Sequence, residues 1–172
     1  PEVTAPAIPV ALPENGRGEL ALADVSYSYG AAEGEVLQAL SCRFPGGKKT
    51  IVTGPSGVGK STLVDLLLRH ADPARGCITL DGVDLRRLDP ADLRRRVAVV
   101  SQDPVLFQAS VRENLCYATP DMDDGQLAAV LDASRLGDWI SALPEGLETR
   151  IGPRGTSLSG GERQRLALAR AL

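Results

Sequence analysis

At 172 residues, 43% hydrophobic and 24% charged, the chain has the length and apolar content to fold around a real core, which excludes a wholly disordered protein. Its net charge of -3 excludes the broad basic field that draws nucleic acid or an acidic membrane surface, so any anion site must be local. Cys42, Cys77 and Cys116 are odd in number and lack metal-ligand spacing, which fits packed thiols in a reducing compartment rather than a disulfide frame.

In chain order, residues 1–18 carry Pro1, Pro6, Pro9 and Pro13 among small residues and then Asn15-Gly16-Arg17-Gly18, a composition that reads as an extended connection ahead of a domain at 19–172. Leu20, Leu22, Val25 and Tyr27 alternate as a strand does, and residues 36–44 predict a second strand ending at the turn Pro45-Gly46-Gly47. Thr50-Ile51-Val52-Thr53 predicts a buried strand. Residues 61–69 bring Leu63, Val64, Leu66 and Leu67 onto overlapping helical faces, stopped by Asp72-Pro73. A short strand at 77–80, a helix started by Asp89-Pro90 and a buried strand at 97–100 follow, and this alternation predicts an α/β core. From 110 to about 143 the pattern turns helical: Ser110 with Glu113 is a capping-box signature, and Leu127, Val130, Leu131, Trp139, Ile140 and Leu143 recur at helical spacing. Residues 144–157 read as loop and 160–172 as a last helix. No apolar run approaches the ~20 residues that span a bilayer. The chain starts at Pro1 and stops at Leu172 in a helical pattern without a stop signal, so it reads as a piece of a longer polypeptide.

Two glycine-rich segments carry the chemistry. Gly54-Pro55-Ser56-Gly57-Val58-Gly59-Lys60-Ser61-Thr62 matches G-x-x-x-x-G-K-[ST]. The glycines let backbone N–H groups crowd around phosphate oxygens, Lys60 adds a cation near the terminal phosphates, and the Ser61 hydroxyl can ligate magnesium at a helix N-terminus whose dipole favours anions. In the second segment, Leu158-Ser159-Gly160-Gly161-Glu162, Ser159 and Glu162 are spaced as a capping box opening the last helix. A capping box does not need Gly160 and Gly161, each of which costs a helix roughly 1 kcal/mol relative to Ala; bare backbone at a helix start is what a second phosphate contact would use.

With these two segments in this order, residues 19–172 resemble the ATP-binding domain of ABC transporters, a P-loop NTPase fold with an antiparallel β subdomain and an inserted helical subdomain, here about 104–172. LSGGERQRLALARAL, residues 158–172, is similar to the family's signature and its helix. The resemblance implies that Gly54 to Thr62 hold ATP with Mg2+, that Ser61 and Gln102 ligate the metal, and that Tyr29 stacks on adenine. It also implies that Ser159, Gly160, Gly161 and Glu162 face ATP held by a second such domain, in a homodimer or heterodimer. The run Ser101-Gln102-Asp103-Pro104-Val105-Leu106-Phe107 followed by Val111-Arg112-Glu113-Asn114-Leu115 looks like the exporter branch, which implies a transmembrane partner domain and a place on the cytoplasmic face of the inner cell membrane. Taken alone, Gln102 is a polar residue at a strand end and Tyr29 a strand-end tyrosine.

The chain departs from the family's pattern at two positions. Glu162 replaces the usual Gln, which sets a carboxylate beside a polyanion unless it turns back onto its own cap, and Pro153 stands where exporters carry a Glu. The family's Walker B strand with its catalytic Glu is expected after residue 172, so the ABC core is read as C-terminally incomplete. Ile78-Thr79-Leu80-Asp81 reads as a strand running into a turn at Gly82, and His70, the single histidine, as the end of a helix. A non-transport ABC ATPase working on ribosomes or DNA, and a degenerate partner that binds ATP without turnover, are the alternative readings.

Overall fold

The computed structural model describes residues 3–30, 34–152 and 158–172. The chain divides into two compact units, the first ending at Val97 and the second running from Ala98 to Leu172.

In the first unit, β1 (Leu20–Tyr27), β2 (Leu37–Phe44), β3 (Arg75–Leu80) and β4 (Val83–Asp84) form an antiparallel sheet in the order β2-β1-β3-β4. The alternation of β1 is broken once. Ala23 pairs with Cys77 and Ser26 with Arg75, so Asp24 and Val25 bulge opposite Gly76. Asp24 takes the left-handed φ of 49°, and a Cβ on Gly76 would run into the carbonyl oxygens of Ala23 and Asp24, so only glycine closes this bulge. The phase shift buries Val25, Ser26 and Tyr27 in succession, which delivers Tyr27 to the core end of the strand. Helix α1 (Lys60–Leu67) lays Leu63 and Leu66 into the core that Leu22, Val25, Tyr27, Leu37 and Ile78 build from the sheet. Asp89 caps α2 (Pro90–Arg96) by accepting the Ala91 N–H at 2.7 Å, with Pro90 in the first turn.

Two expected strands are absent among the described residues. Residues 50–53 and 97–100 are not paired in any ladder, and apart from Val97, which packs on the first core, their side chains are exposed: Ile51 is 84% exposed and Val99 51%. Apolar content marked them as strands, but a strand exists only with a ladder partner, and β1 to β4 pair with one another instead.

Residues 3–18, read in the sequence as a connection, are part of the first unit. Arg69, its side chain buried, donates to the Thr4 carbonyl at 2.9 Å and the Leu88 carbonyl at 3.1 Å while its Nε meets Asp72 at 3.2 Å. The Asp81 carboxylate accepts the N–H groups of Arg17, Gly18 and Glu19, and Leu12 packs on the core.

The second unit is helical: α3 (Val111–Leu115), α4 (Asp124–Ala133), α5 (Gly137–Ser141) and α6 (Gly160–Ala169) surround Leu106, Val111, Leu115, Leu127, Leu136, Ile140, Ile151 and Leu166. The capping box expected at Ser110 forms, Ser110 Oγ accepting the Glu113 N–H and Glu113 returning to the Ser110 N–H at 2.7 Å. Asn114 is wholly buried; its amide accepts the Phe107 N–H at 2.9 Å and donates to the carbonyls of Phe107 and Ser110, both at 3.0 Å. Asn114→Ala strands those backbone groups without water, so it is expected to cost about 2–4 kcal/mol. Urea unfolding followed through the single tryptophan, Trp139, checks this; a loss below about 0.5 kcal/mol, the range of a neutral surface change, would contradict it.

Candidate functional site

The phosphate loop ends in a left-handed turn. Gly57 has φ 81° and Gly59, the residue before α1, φ 96°; a Cβ on Gly59 would stand 2.9 Å from Leu37 Cδ2. Strain and a clash together reserve the position for glycine, and packing on Leu37 fixes the loop against β2. Among the described residues, no N–H from Ser56 to Thr62 donates to a protein acceptor, the first helical bond being Leu63 N–H to Gly59 O at 2.8 Å. These are the orphan donors of a helix start, gathered where the dipole is positive. The Lys60 ammonium bridges the Gly54 and Pro55 carbonyls at 2.9 and 2.7 Å, holding the only cation of residues 54–62 at the mouth of the loop. Unpaired backbone N–H groups, an ammonium held only by carbonyls and the exposed Ser61 form a donor set with no carboxylate among residues 54–62, which fits a polyphosphate and its metal.

Tyr29 lies just beyond β1. It is 57% exposed, its ring stands edge-on to buried Tyr27 at 5.2 Å, and its hydroxyl bonds Thr62 Oγ1 at 2.8 Å. The first unit therefore brings Tyr29 to Thr62, at the end of the loop 54–62. That link was not legible beforehand: nothing in the residues around Tyr29 announces a bond to a side chain 33 positions away.

Gln102, Ser159, Gly160, Gly161 and Glu162 belong to the second unit. Gln102 is exposed in an irregular bend rather than at the end of a paired strand. At the start of α6 the capping box forms as expected: Ser159 Oγ accepts the Glu162 N–H at 3.3 Å, and the Ser159 N–H donates to Glu162 Oε2 at 2.7 Å. Glu162 thus turns back onto its own cap, and that backbone hydrogen bond lowers its pKa from the ordinary value. Because the folded form holds the carboxylate ionised, the cap is fully made above the free-glutamate pKa and is lost as pH falls through the lower folded one. The Ser159 amide proton is expected to titrate with a midpoint below that of a peptide glutamate and to stop titrating in Glu162→Gln; a midpoint at or above the peptide value would mean the cap does not form. A Cβ on Gly160 or Gly161 meets nothing within 4 Å, so packing among the described residues of the second unit requires neither glycine. The departure at Pro153 lies outside the described residues.

Among the described residues no helix is long and apolar enough to cross a membrane, and no group of three His, Cys, Asp or Glu could hold a metal by itself.

Residues 37–172 match the family described as ABC transporter. Over 157 residues the chain is 46% identical to the ATP-dependent lipid A-core flippase of Burkholderia orbicola, covering 91% of this chain and 26% of that protein. Over 164 residues it is 42% identical to the mitochondrial iron-sulfur clusters transporter ATM1 of Kluyveromyces lactis, covering 95% and 23%. A solved structure of a bacterial Atm1-family ABC exporter with ATP bound superposes with a TM-score of 0.91 at 36% identity, over 99% of this chain and 29% of that one. The chain thus spans about a quarter of the length of the curated relatives it matches.

Proposed function

We propose, from the premise that this chain belongs to the ABC transporter family, that it is the ATP-binding part of an exporter whose transport is driven by ATP hydrolysis. The observation that carries the reading is the loop 54–62, with its backbone donors unspent and Lys60 held across its mouth. Its N–H groups bind the phosphates, Lys60 neutralises the terminal ones, and Tyr29 offers an exposed ring face to adenine. Ser61 and Gln102 would hold Mg2+. The metal, when bound, spreads charge off the transferring phosphoryl group.

Ser159, Gly160 and Gly161 are offered outward, to nucleotide held by a second ATP-binding domain, a copy of this chain or a homologue; open space over both glycines supports this. A transmembrane domain is the other partner, and no nucleic acid is. Relatives named for lipid A-core transport and for a mitochondrial transporter support a membrane site, with the ATP-binding part on the cytoplasmic face in a bacterial cell.

Phosphoryl transfer to water needs a positioned nucleophile as well as charge stabilisation. The loop and α6 supply the second, and among the described residues no carboxylate is hydrogen-bonded to the loop 54–62. We therefore expect no turnover from the 172-residue chain alone and MgATP hydrolysis from the full-length polypeptide. A steady-state phosphate-release assay on both decides it: robust turnover by the shorter chain, abolished in its Lys60→Ala variant, would overturn this division of labour.

A further inference from the structure

We propose that Thr62 is a positioning residue for Tyr29: its side-chain hydroxyl holds the ring that stacks on the base and so ties base recognition to the phosphate loop. The inference rests on the reading above that Tyr29 meets adenine.

Three observations carry it. The Tyr29 hydroxyl and Thr62 Oγ1 are 2.8 Å apart, a short contact for two hydroxyls and well inside hydrogen-bond range. Thr62 is 4% exposed whereas Tyr29 is 57% exposed, so the buried partner is the anchor and the exposed one the group being held. Tyr27, buried at the end of β1, supports the same ring edge-on at 5.2 Å with an interplanar angle of 85°. A phenol free at its hydroxyl would swing about two side-chain torsions; one fixed at its hydroxyl and backed along its edge presents a single face. Ordering that ring before the nucleotide arrives removes an entropy cost from binding.

The arrangement also assigns the Thr62 hydroxyl a task other than phosphate contact. It lies in the first turn of α1, two residues after Lys60, where a β-branched side chain has few rotamers, and the one it adopts points to Tyr29. The backbone N–H of Thr62 remains with the loop. One residue thus faces the phosphates through its main chain and the base through its side chain, and a shift of the loop on gripping phosphate moves the ring with it.

The test separates base from phosphate. With the full-length polypeptide, affinities for MgATP and for magnesium tripolyphosphate, which has the phosphates and no base, are measured for Thr62→Val, Tyr29→Phe, the double variant and Thr62→Ser. Thr62→Val and Tyr29→Phe are each expected to weaken ATP about five-fold, the worth of one ordinary hydrogen bond. The double variant is expected to be no weaker than either single one, because both remove the same bond. Tripolyphosphate affinity falls by less than ATP affinity throughout, and Thr62→Ser, which keeps the hydroxyl, restores ATP affinity. Equal weakening of ATP and tripolyphosphate by Thr62→Val would assign the hydroxyl to phosphate and overturn the proposal, as would additive losses in the double variant. A Tyr29→Ala variant with wild-type ATP affinity would overturn the stacking reading itself, and the proposal with it; Tyr29→Ala weakened while Thr62→Val is unchanged would remove the proposal alone.

Discussion

Replacing Lys60 by alanine is expected to lower ATP turnover of the full-length polypeptide by about a hundred- to a thousand-fold, the usual loss when one preorganised donor to a developing charge is removed. The ammonium is the loop's single cation, and its two partners are carbonyls at the loop mouth rather than a carboxylate. It is therefore held by dipoles that a polyphosphate outbids, so it can transfer to phosphate without breaking an ion pair. The Gly54 and Pro55 carbonyls it leaves behind are exposed and find water, so stability is expected to change by less than about 0.5 kcal/mol. A large loss of turnover with an unchanged unfolding midpoint places Lys60 in the chemistry; matched losses of both would make it a brace for the loop.

The second large effect is at the start of α6. Gly161→Asp adds a carboxylate where nothing lies within 4 Å of the new Cβ. It enters the first turn of a helix, where acidic residues are favoured by the dipole and glycine is the poorer helix former. By the chain's own energetics the variant is as stable as the parent or more so, by up to about 1 kcal/mol, most of it from the helix dipole. If this turn faces a partner's phosphates, the same carboxylate meets like charge with little water between, and turnover falls about a hundred-fold or more. ATP binding by the variant's own loop stays at the wild-type affinity. Gain of stability with loss of activity is the pattern expected where a sequence accepts helix-breaking residues for function. A destabilised variant would instead assign the two glycines to folding.

The local geometry of these segments was readable because their residues are bound by local rules. The loop 54–62 needs glycine at fixed offsets from a lysine, and the caps at Ser110 and Ser159 need a Glu or Gln three positions on, so both are visible within ten residues of sequence. What was not readable depends on partners distant along the chain. Ile51, Val52, Val99 and Val100 have the composition of buried strands, yet ladder pairing is a property of two segments, and neither stretch is paired here. The bulge at Asp24 exists because Gly76, about fifty residues away, can lie against its carbonyls. Residues 3–18 look like a loose connection because proline-rich composition carries no periodicity; what holds them is Arg69 and Asp81 reaching back across the chain. The Tyr29 to Thr62 bond belongs to the same class.

The central claim is that the two glycine-rich segments of one chain serve two different nucleotides. It is tested by pairing a Lys60→Ala copy of the full-length polypeptide with a partner, a second copy or a homologous chain, in which the glycine matching Gly161 is replaced by aspartate. The mixed assembly is isolated through a different tag on each member and its ATP turnover measured. If each site joins one chain's loop to the other chain's signature, both lesions fall in the same site and the second site is intact, so the assembly hydrolyses ATP although neither variant does so when both members carry it. If loop and signature of one chain serve one nucleotide, each site carries a lesion and the mixed assembly is inactive, which would contradict the account.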